Sequence, residues 1–291
     1  MGKIAIIKTG AAGDVVRTTS LLRILDGDIF WITADKNKQL LPIDQENLTM
    51  LSVKEAFQDL KKTTFELVIS LEEDTECAKL ASEINTGELT GIYFAQNKIN
   101  YTDSAASWFG MSRVSKLGME RSNKLKAENT ESYQSHIFGM IGKEFTAEPY
   151  KIFTDTQIKP NNKMIGIEKR TGTQWPNKNW WGYDELVNKL ENEGHKVKVF
   201  TQRTDIRDYF RDIAQCSYVV SGDTLAMHVA LAYQKRCTAI FNCTSPQEIY
   251  DYGLLKKVIS PLLDRYFYSS SYDKEAIESV SLNEVYNSLL L

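Results

Sequence analysis

Tyr218-Val219-Val220 runs into Ser221-Gly222-Asp223-Thr224-Leu225-Ala226-Met227-His228 and on into Val229-Ala230-Leu231-Ala232. A short apolar run, a polar turn and a second apolar stretch at helical spacing predict a buried strand, a turn and a helix. Asp223 and Thr224 are helix-capping types. The N–H groups left unbonded at a helix start, together with the positive end of its dipole, suit a phosphate. Thr224 and His228 stand four apart and share one face, so a ligand on that helix end would meet both. An ordinary Asp-capped helix with a half-buried His fits the same eight residues, so the reading depends on the rest of the chain.

The same alternation extends outward in both directions. Lys163 to Glu168, His195 to Thr201, Cys216 to Ser221 and Arg236 to Asn242 read as strands, with helices at Tyr183 to Glu193, Asp205 to Ala214 and Met227 to Tyr233. In the first half, Lys3 to Lys8 is an Ile-rich strand, Thr9-Gly10-Ala11-Ala12-Gly13-Asp14 is a tight turn, and Val15, Val16, Thr19, Leu22 and Leu25 continue at helical spacing. Strands at Asp28 to Thr33, Phe65 to Ser70 and Leu89 to Phe94 follow, with a helix at Thr75 to Ile84. Strands alternating with helices imply α/β units with doubly wound parallel sheets and right-handed crossovers. The 291 residues are comfortable for two domains of about 150 each. We expect an N-terminal unit at 1-155 and a C-terminal unit at 156-291, with the polar Lys159-Pro160-Asn161-Asn162 in the connection. Ala95 to Asn129 lacks periodicity but carries Tyr101, Trp108, Phe109 and Met111, which suggests a packed functional loop. Glu131 to Ile141 reads as a helix, and Glu275 to Leu290 as a single amphipathic helix free to pack back on either domain, the N-terminal one included.

Charge is nearly balanced, 35 basic against 38 acidic residues, so neither nucleic acid nor an anionic membrane is expected as the main partner. Membrane contact would be peripheral at most. No apolar stretch approaches the roughly 20 residues of a spanning helix, and no signal-peptide core follows Met1, so a cytoplasmic protein is expected. Cys77, Cys216, Cys237 and Cys243 form no CxxC pair and no metal-finger spacing; buried free thiols and no metal site are expected.

Ligands of open α/β sheets collect at the carboxyl ends of strands, where three turns stand out. The turn at Lys8 to Asp14 is a poor dinucleotide fingerprint, because only Gly10 and Gly13 are present, although Asp35 follows the second strand as a ribose ligand would. No Gly-Lys-Ser/Thr follows, which excludes a phosphate-binding P-loop. What this turn supplies is Asp14, either a helix cap or a general base kept ionised by the helix start, with Arg17 one turn along to pair with it or meet an anionic substrate. The second turn, Glu168-Lys-Arg-Thr-Gly-Thr-Gln-Trp-Pro-Asn-Lys-Asn-Trp180, offers Thr171, Thr173 and backbone N–H groups to phosphate oxygens, with Lys178 as a point charge. It reads equally as a solvated basic loop anchored by Trp175 and Trp180. The third is the turn at Asp223.

Three of these stretches together, Lys8-Thr-Gly-Ala-Ala-Gly-Asp-Val-Val-Arg-Thr-Thr19, Gln174-Trp-Pro-Asn-Lys-Asn-Trp180 and Ser221-Gly-Asp-Thr-Leu-Ala-Met-His228, resemble glycosyltransferase family 9, the ADP-heptose:lipopolysaccharide heptosyltransferase family. Phe65-Glu-Leu-Val-Ile-Ser-Leu71 and Phe241-Asn-Cys-Thr-Ser-Pro246 resemble two further elements of that family, in the same order, with Leu225 and Asn242-Cys243 departing from the commoner spelling. The resemblance implies a GT-B architecture, two Rossmann-like domains facing across a cleft. It implies inverting transfer of a sugar, heptose being the family's own, from a nucleotide-diphosphate donor, with an ADP-sugar favoured, to a glycan or glycolipid hydroxyl. No metal or other cofactor would be required. Carried onto this chain, Asp14 would be the general base, with Gly13 and Arg17 near the acceptor or a phosphate. Thr171, Gly172, Thr173 and Lys178 would hold the diphosphate together with Asp223, Thr224, Leu225, Met227 and His228, and Thr201 and Gln202 would lie near the ribose or base. A lipid-linked acceptor would put the protein at the inner face of the membrane. The alternatives are a GT-B-like nucleotide-binding or interaction protein without turnover, and an NAD-dependent oxidoreductase.

Overall fold

The computed structural model describes residues 2–111, 117–155, 158 and 163–289, which divide into two compact units, Met1–Phe153 and Thr154–Leu291. The first carries strands β1 (Lys3–Ile7), β2 (Asp28–Ile32), β3 (Leu48–Leu51), β4 (Thr64–Ser70), β5 (Asn85–Ala95) and β6 (Lys98–Tyr101) in one sheet of order β3-β2-β1-β4-β5-β6. The first five run parallel and β6 returns antiparallel along β5. Helices α1 (Ala12–Thr18), α2 (Asp35–Lys38), α3 (Val53–Asp59), α4 (Thr75–Glu83), α5 (Ala106–Gly110), α6 (Met119–Glu128) and α7 (Tyr133–Met140) complete it. Ile4 to Ile7 are all buried in the central strand, which is why β1 reads as a continuous apolar run instead of alternating. Ala5, Ile7, Ile32, Phe65, Val68 and Leu80 share one core, with Phe30 set edge-on against Phe65.

The second unit carries β7 (Met164–Ile167), β8 (Lys196–Val199), β9 (Tyr218–Gly222), β10 (Arg236–Phe241) and β11 (Leu255–Ile259), all parallel, in the order β11-β10-β9-β7-β8. Its helices are α8 (Tyr183–Asn192), α9 (Ile206–Gln215), α10 (Leu225–Ala232), α11 (Leu263–Tyr266), α12 (Lys274–Glu278) and α13 (Leu282–Asn287). Ile165, Ile167, Trp180, Leu186, Val220, Ile240 and Val285 form its core. Both sheets are thus doubly wound, the fold class expected from the strand and helix pattern. In each, the chain's first strand lies between neighbours reached in opposite directions, so the loops after β1 and β4, and after β7 and β9, leave side by side at a switch point.

Several expectations are corrected. The stretch 95–129 is not one irregular loop: it holds β6, α5 and α6, with 112–116 outside the described residues. Its helices are short and α6 is mostly polar, which hides the period. Lys159-Pro160-Asn161-Asn162 also lies outside the described residues. The strands β3 and β11 were not anticipated: both are short runs at a sheet edge. The C-terminal helix is two helices, α12 and α13, broken at Ser279 to Ser281, and α13 packs on α8 of its own unit. The break is enforced by a new cap: Ser281 accepts from the Glu284 N–H while the Glu284 carboxylate accepts from the Ser281 N–H, a capping box. Ser281→Ala is expected to lower the unfolding free energy by about 1 kcal/mol, the usual value of an N-cap, in urea denaturation.

Candidate functional site

In the second unit the turn after β7 and the start of α10 meet because β7 and β9 are neighbours. Lys178 ends a short 3-10 turn, Pro176–Lys178, and its Nζ donates to the Asp223 carbonyl oxygen at 2.9 Å and pairs with Asp223 Oδ2 at 2.8 Å. The Thr244 hydroxyl donates to the same Oδ2 at 2.8 Å, and His228 Nε2 stands 4.0 Å from Oδ1. Gly222 makes this approach possible, since a Cβ there would meet the Lys178 carbonyl oxygen at 2.9 Å. Burial by itself would raise the Asp223 carboxyl. The Lys178 ammonium, His228 and the Thr244 hydroxyl outweigh it and hold the group well below the usual carboxylate range. An ammonium has three protons to donate; Asp223 takes two, and among the described residues no other group takes the third.

Asp223 therefore does not cap α10. The N-cap is Thr224, whose side chain makes no capping bond and whose Oγ1 is buried with no hydrogen-bond partner among the described residues. Thr224 and Leu225 line a pocket of about 240 Å³ with Glu168, Arg170, Thr171, Gly172, Gln202, Arg203, Ile206 and Tyr209. The pocket thus collects the carboxyl ends of β7, β8 and β9 and the start of α9. Thr173 and Thr201 are exposed and outside that lining; Met227 and His228 are buried and also outside it. Asn242 reaches back to donate to the Asn179 carbonyl oxygen at 2.7 Å, which ties the unusual Asn242-Cys243 spelling to the Lys178 loop.

The sequence reading did not single out the pocket's most ordered wall. Glu168, 3 % exposed, receives the Arg170 guanidinium through Nε at 2.8 Å and Nη2 at 2.6 Å, and the Tyr209 hydroxyl at 2.6 Å. Arg170 Nη1 continues to Gln202 Oε1 at 3.0 Å. The signal available was the charged pair Glu168 and Arg170 directly after a strand; Tyr209, 41 positions away, carries none.

In the first unit, Asp14 lies in the first turn of α1 and Arg17 Nη2 meets its Oδ1 at 2.8 Å, with the Asp14 side chain 35 % exposed. Gly13 precedes it in the same turn. The strand-to-helix turn itself is occupied from within the chain: Glu72 Oε2 accepts from the N–H groups of Thr9 at 2.9 Å and Gly10 at 2.6 Å, and from Lys8 Nζ at 3.2 Å. A Cβ at Gly10 would lie 2.9 Å from that oxygen. A carboxylate filling the turn where a pyrophosphate would lie, with Asp35 exposed and paired to Lys38, argues against a dinucleotide in this unit. Lys8 is buried, which disfavours its charge, yet Tyr133, Asp14 and Glu72 outweigh that and raise its pKa.

All four cysteines are buried free thiols, and burial pushes Cys216, Cys237 and Cys243 up to about 12. Among the described residues no group of three or more His, Cys, Asp or Glu side chains is arranged to hold a metal, and no helix is long and apolar enough to cross a membrane.

Residues 200–267 match the profile of Glycosyltransferase family 9 (heptosyltransferase). No curated protein matches the chain by sequence. Among solved structures it is similar to a glycosyl transferase family 9 protein from Veillonella parvula DSM 2008, with TM-score 0.62 and 14 % identity over 99 % of this chain and 96 % of that one. It is similar to the E. coli heptosyltransferase WaaC with ADP-2-deoxy-2-fluoro heptose, with TM-score 0.52 and 13 % identity over 92 % and 97 %. The iron-containing dodecameric glycosyltransferase TibC from enterotoxigenic E. coli H10407 gives TM-score 0.58 and 11 % identity over 99 % and 74 %. The matched segment contains the Asp223 to His228 turn, and the solved structures share the chain's fold; the chain is thus similar to glycosyltransferase family 9 in that segment and in its architecture.

Proposed function

We propose that the chain is an inverting glycosyltransferase that moves a sugar from an ADP-sugar donor, heptose being the first candidate, to a hydroxyl of a surface glycan or glycoconjugate. The observation that supports it most is the Lys178 ammonium fixed at the start of α10, with one proton left to donate, beside the unpartnered Thr224 hydroxyl. Negative charge develops on the departing diphosphate as the sugar bond breaks. Lys178, Thr224 and the first N–H groups of α10 would stabilise that charge, so no metal is required in this reading. Thr171, Gly172, Gln202 and Leu225, on the pocket wall, would contact the phosphates and ribose, with Thr173 and Thr201 exposed outside it. Asp14 would take the proton of the attacking hydroxyl on the face of the sugar opposite the leaving group, which inverts the anomeric centre.

A thermal-shift screen against ADP, UDP, GDP, CDP, dTDP and NAD, with and without EDTA, tests the donor. A ligand at 100 times its Kd adds about 2.7 kcal/mol to the folded state. ADP is expected to raise the melting temperature, NAD to leave it unchanged, and EDTA to have no effect. Stabilisation by another nucleoside diphosphate would replace the donor's base, a response abolished by EDTA would remove metal independence, and no response to any nucleotide would sink the reading.

A further inference from the structure

Two of the contacts that hold Asp14 lead to one side chain from the far end of the unit. The Thr18 hydroxyl donates to the Asp14 carbonyl oxygen at 2.7 Å. Having spent its only proton there, it accepts from the Tyr133 hydroxyl, 2.6 Å away. On the side-chain side, the Arg17 guanidinium that meets Asp14 Oδ1 lies over the Tyr133 ring, its Cζ 3.9 Å from the ring centroid. Tyr133 opens α7, is 2 % exposed, and is backed edge-on by Trp108 at 5.1 Å between centroids. Burial raises its pKa, which keeps the phenol protonated as the donor that Thr18 needs.

We propose that Tyr133 is the positioning residue of Asp14: its hydroxyl fixes the Asp14 backbone through Thr18 and its ring holds the Arg17 guanidinium that fixes the Asp14 carboxylate. The inference rests on the reading of Asp14 as the general base. A flat ring suits this task because it attracts the guanidinium through its face without competing for the protons that Arg17 gives to Asp14. Among the described residues, the charged groups that act on Tyr133 are Lys8, which directly follows β1 and is paired with Glu72, and Asp14 and Arg17 of α1.

The test compares Tyr133→Leu, Tyr133→Phe and Thr18→Val. The first readout is the titration of the Asp14 carboxyl by 13C NMR, assigned with Asp14→Asn, which needs no substrate. Losing the ring loosens the hold on the Arg17 guanidinium beside Asp14, so in Tyr133→Leu the midpoint is expected to move toward higher pH by about 1 unit, the low end for an opposite charge within about 4–6 Å. Tyr133→Phe keeps the ring and should titrate as the wild type. The second readout is ADP release from the donor. Tyr133→Leu is expected to lower kcat about tenfold or more at unchanged donor KM, inside the roughly hundredfold that a misplacement of about 1 Å costs. Tyr133→Phe should restore most of it. A Tyr133→Leu protein with the wild-type midpoint and kcat overturns the proposal. If that variant does not fold, Thr18→Val, which leaves α7 untouched, should still lower kcat, and a wild-type kcat overturns the proposal in the same way. A fully active Asp14→Asn enzyme would instead remove the general-base reading, a different failure from an unmoved midpoint.

Discussion

Asp14→Asn is expected to lower turnover by at least about a hundredfold while leaving the donor's thermal stabilisation as in the wild type. The amide keeps the shape of the side chain but accepts a proton far less readily, and a positioned general base contributes roughly a hundred- to ten-thousand-fold. Donor binding should survive because the groups assigned to the diphosphate all belong to the second unit, from the turn after β7 and the start of α10. The measurement is ADP release under saturating donor, with the ADP thermal shift as its control. Loss of the thermal shift would mean that the substitution had disturbed more than the base. Turnover within a few-fold of the wild type would end the role of Asp14 in proton transfer.

Asp223→Ala is expected to destabilise the second unit by about 3–5 kcal/mol, the cost of removing one partner of a buried ion pair. The side chains of Lys178 and Asp223 are only 19 % and 13 % exposed, so water compensates the stranded ammonium poorly. The Thr244 hydroxyl loses its acceptor as well. Because the folded state holds the Asp223 carboxyl below its ordinary value, the unfolded chain binds that proton first as pH falls. The stability this pair contributes is fully present above about pH 5 and is lost as pH falls through the ordinary aspartate value near 3.9 and below. Denaturation of the wild type should therefore show an acid-dependent loss that is smaller in Asp223→Ala. An unfolding free energy within about 1 kcal/mol of the wild type, or an unchanged acid dependence, would show that the pair is not the anchor described.

The two largest effects fall on residues that the sequence had marked, but for reasons it marked only in part. Asp223 was legible as a polar residue at a helix start, and a helix start is where a carboxylate commonly caps. Its actual partners, Lys178 and Thr244, lie 45 and 21 positions away. Asp14 was legible from its turn, whereas its ties to Tyr133 run through Thr18 and across 115 positions. Tyr133 itself looked like any aromatic residue opening an amphipathic helix.

By itself, the sequence determined the class of the two units and where their turns fall. Strand and helix periods are local properties, set by side-chain alternation within a few residues, and β1, β4, β7, β9 and β10 follow from them directly. The strands β3, β6 and β11 did not, because short edge runs are specified by the strand beside them more than by their own pattern. Only the tertiary structure decided which turns meet. The order β11-β10-β9-β7-β8 sets the loop of Lys178 beside the start of α10, and the order β3-β2-β1-β4-β5-β6 sets Glu72 on the turn after β1. The physical reason is that a pair such as Lys178 and Asp223 gains its strength from being desolvated together, and desolvation is a property of the packed neighbourhood that no window of sequence contains.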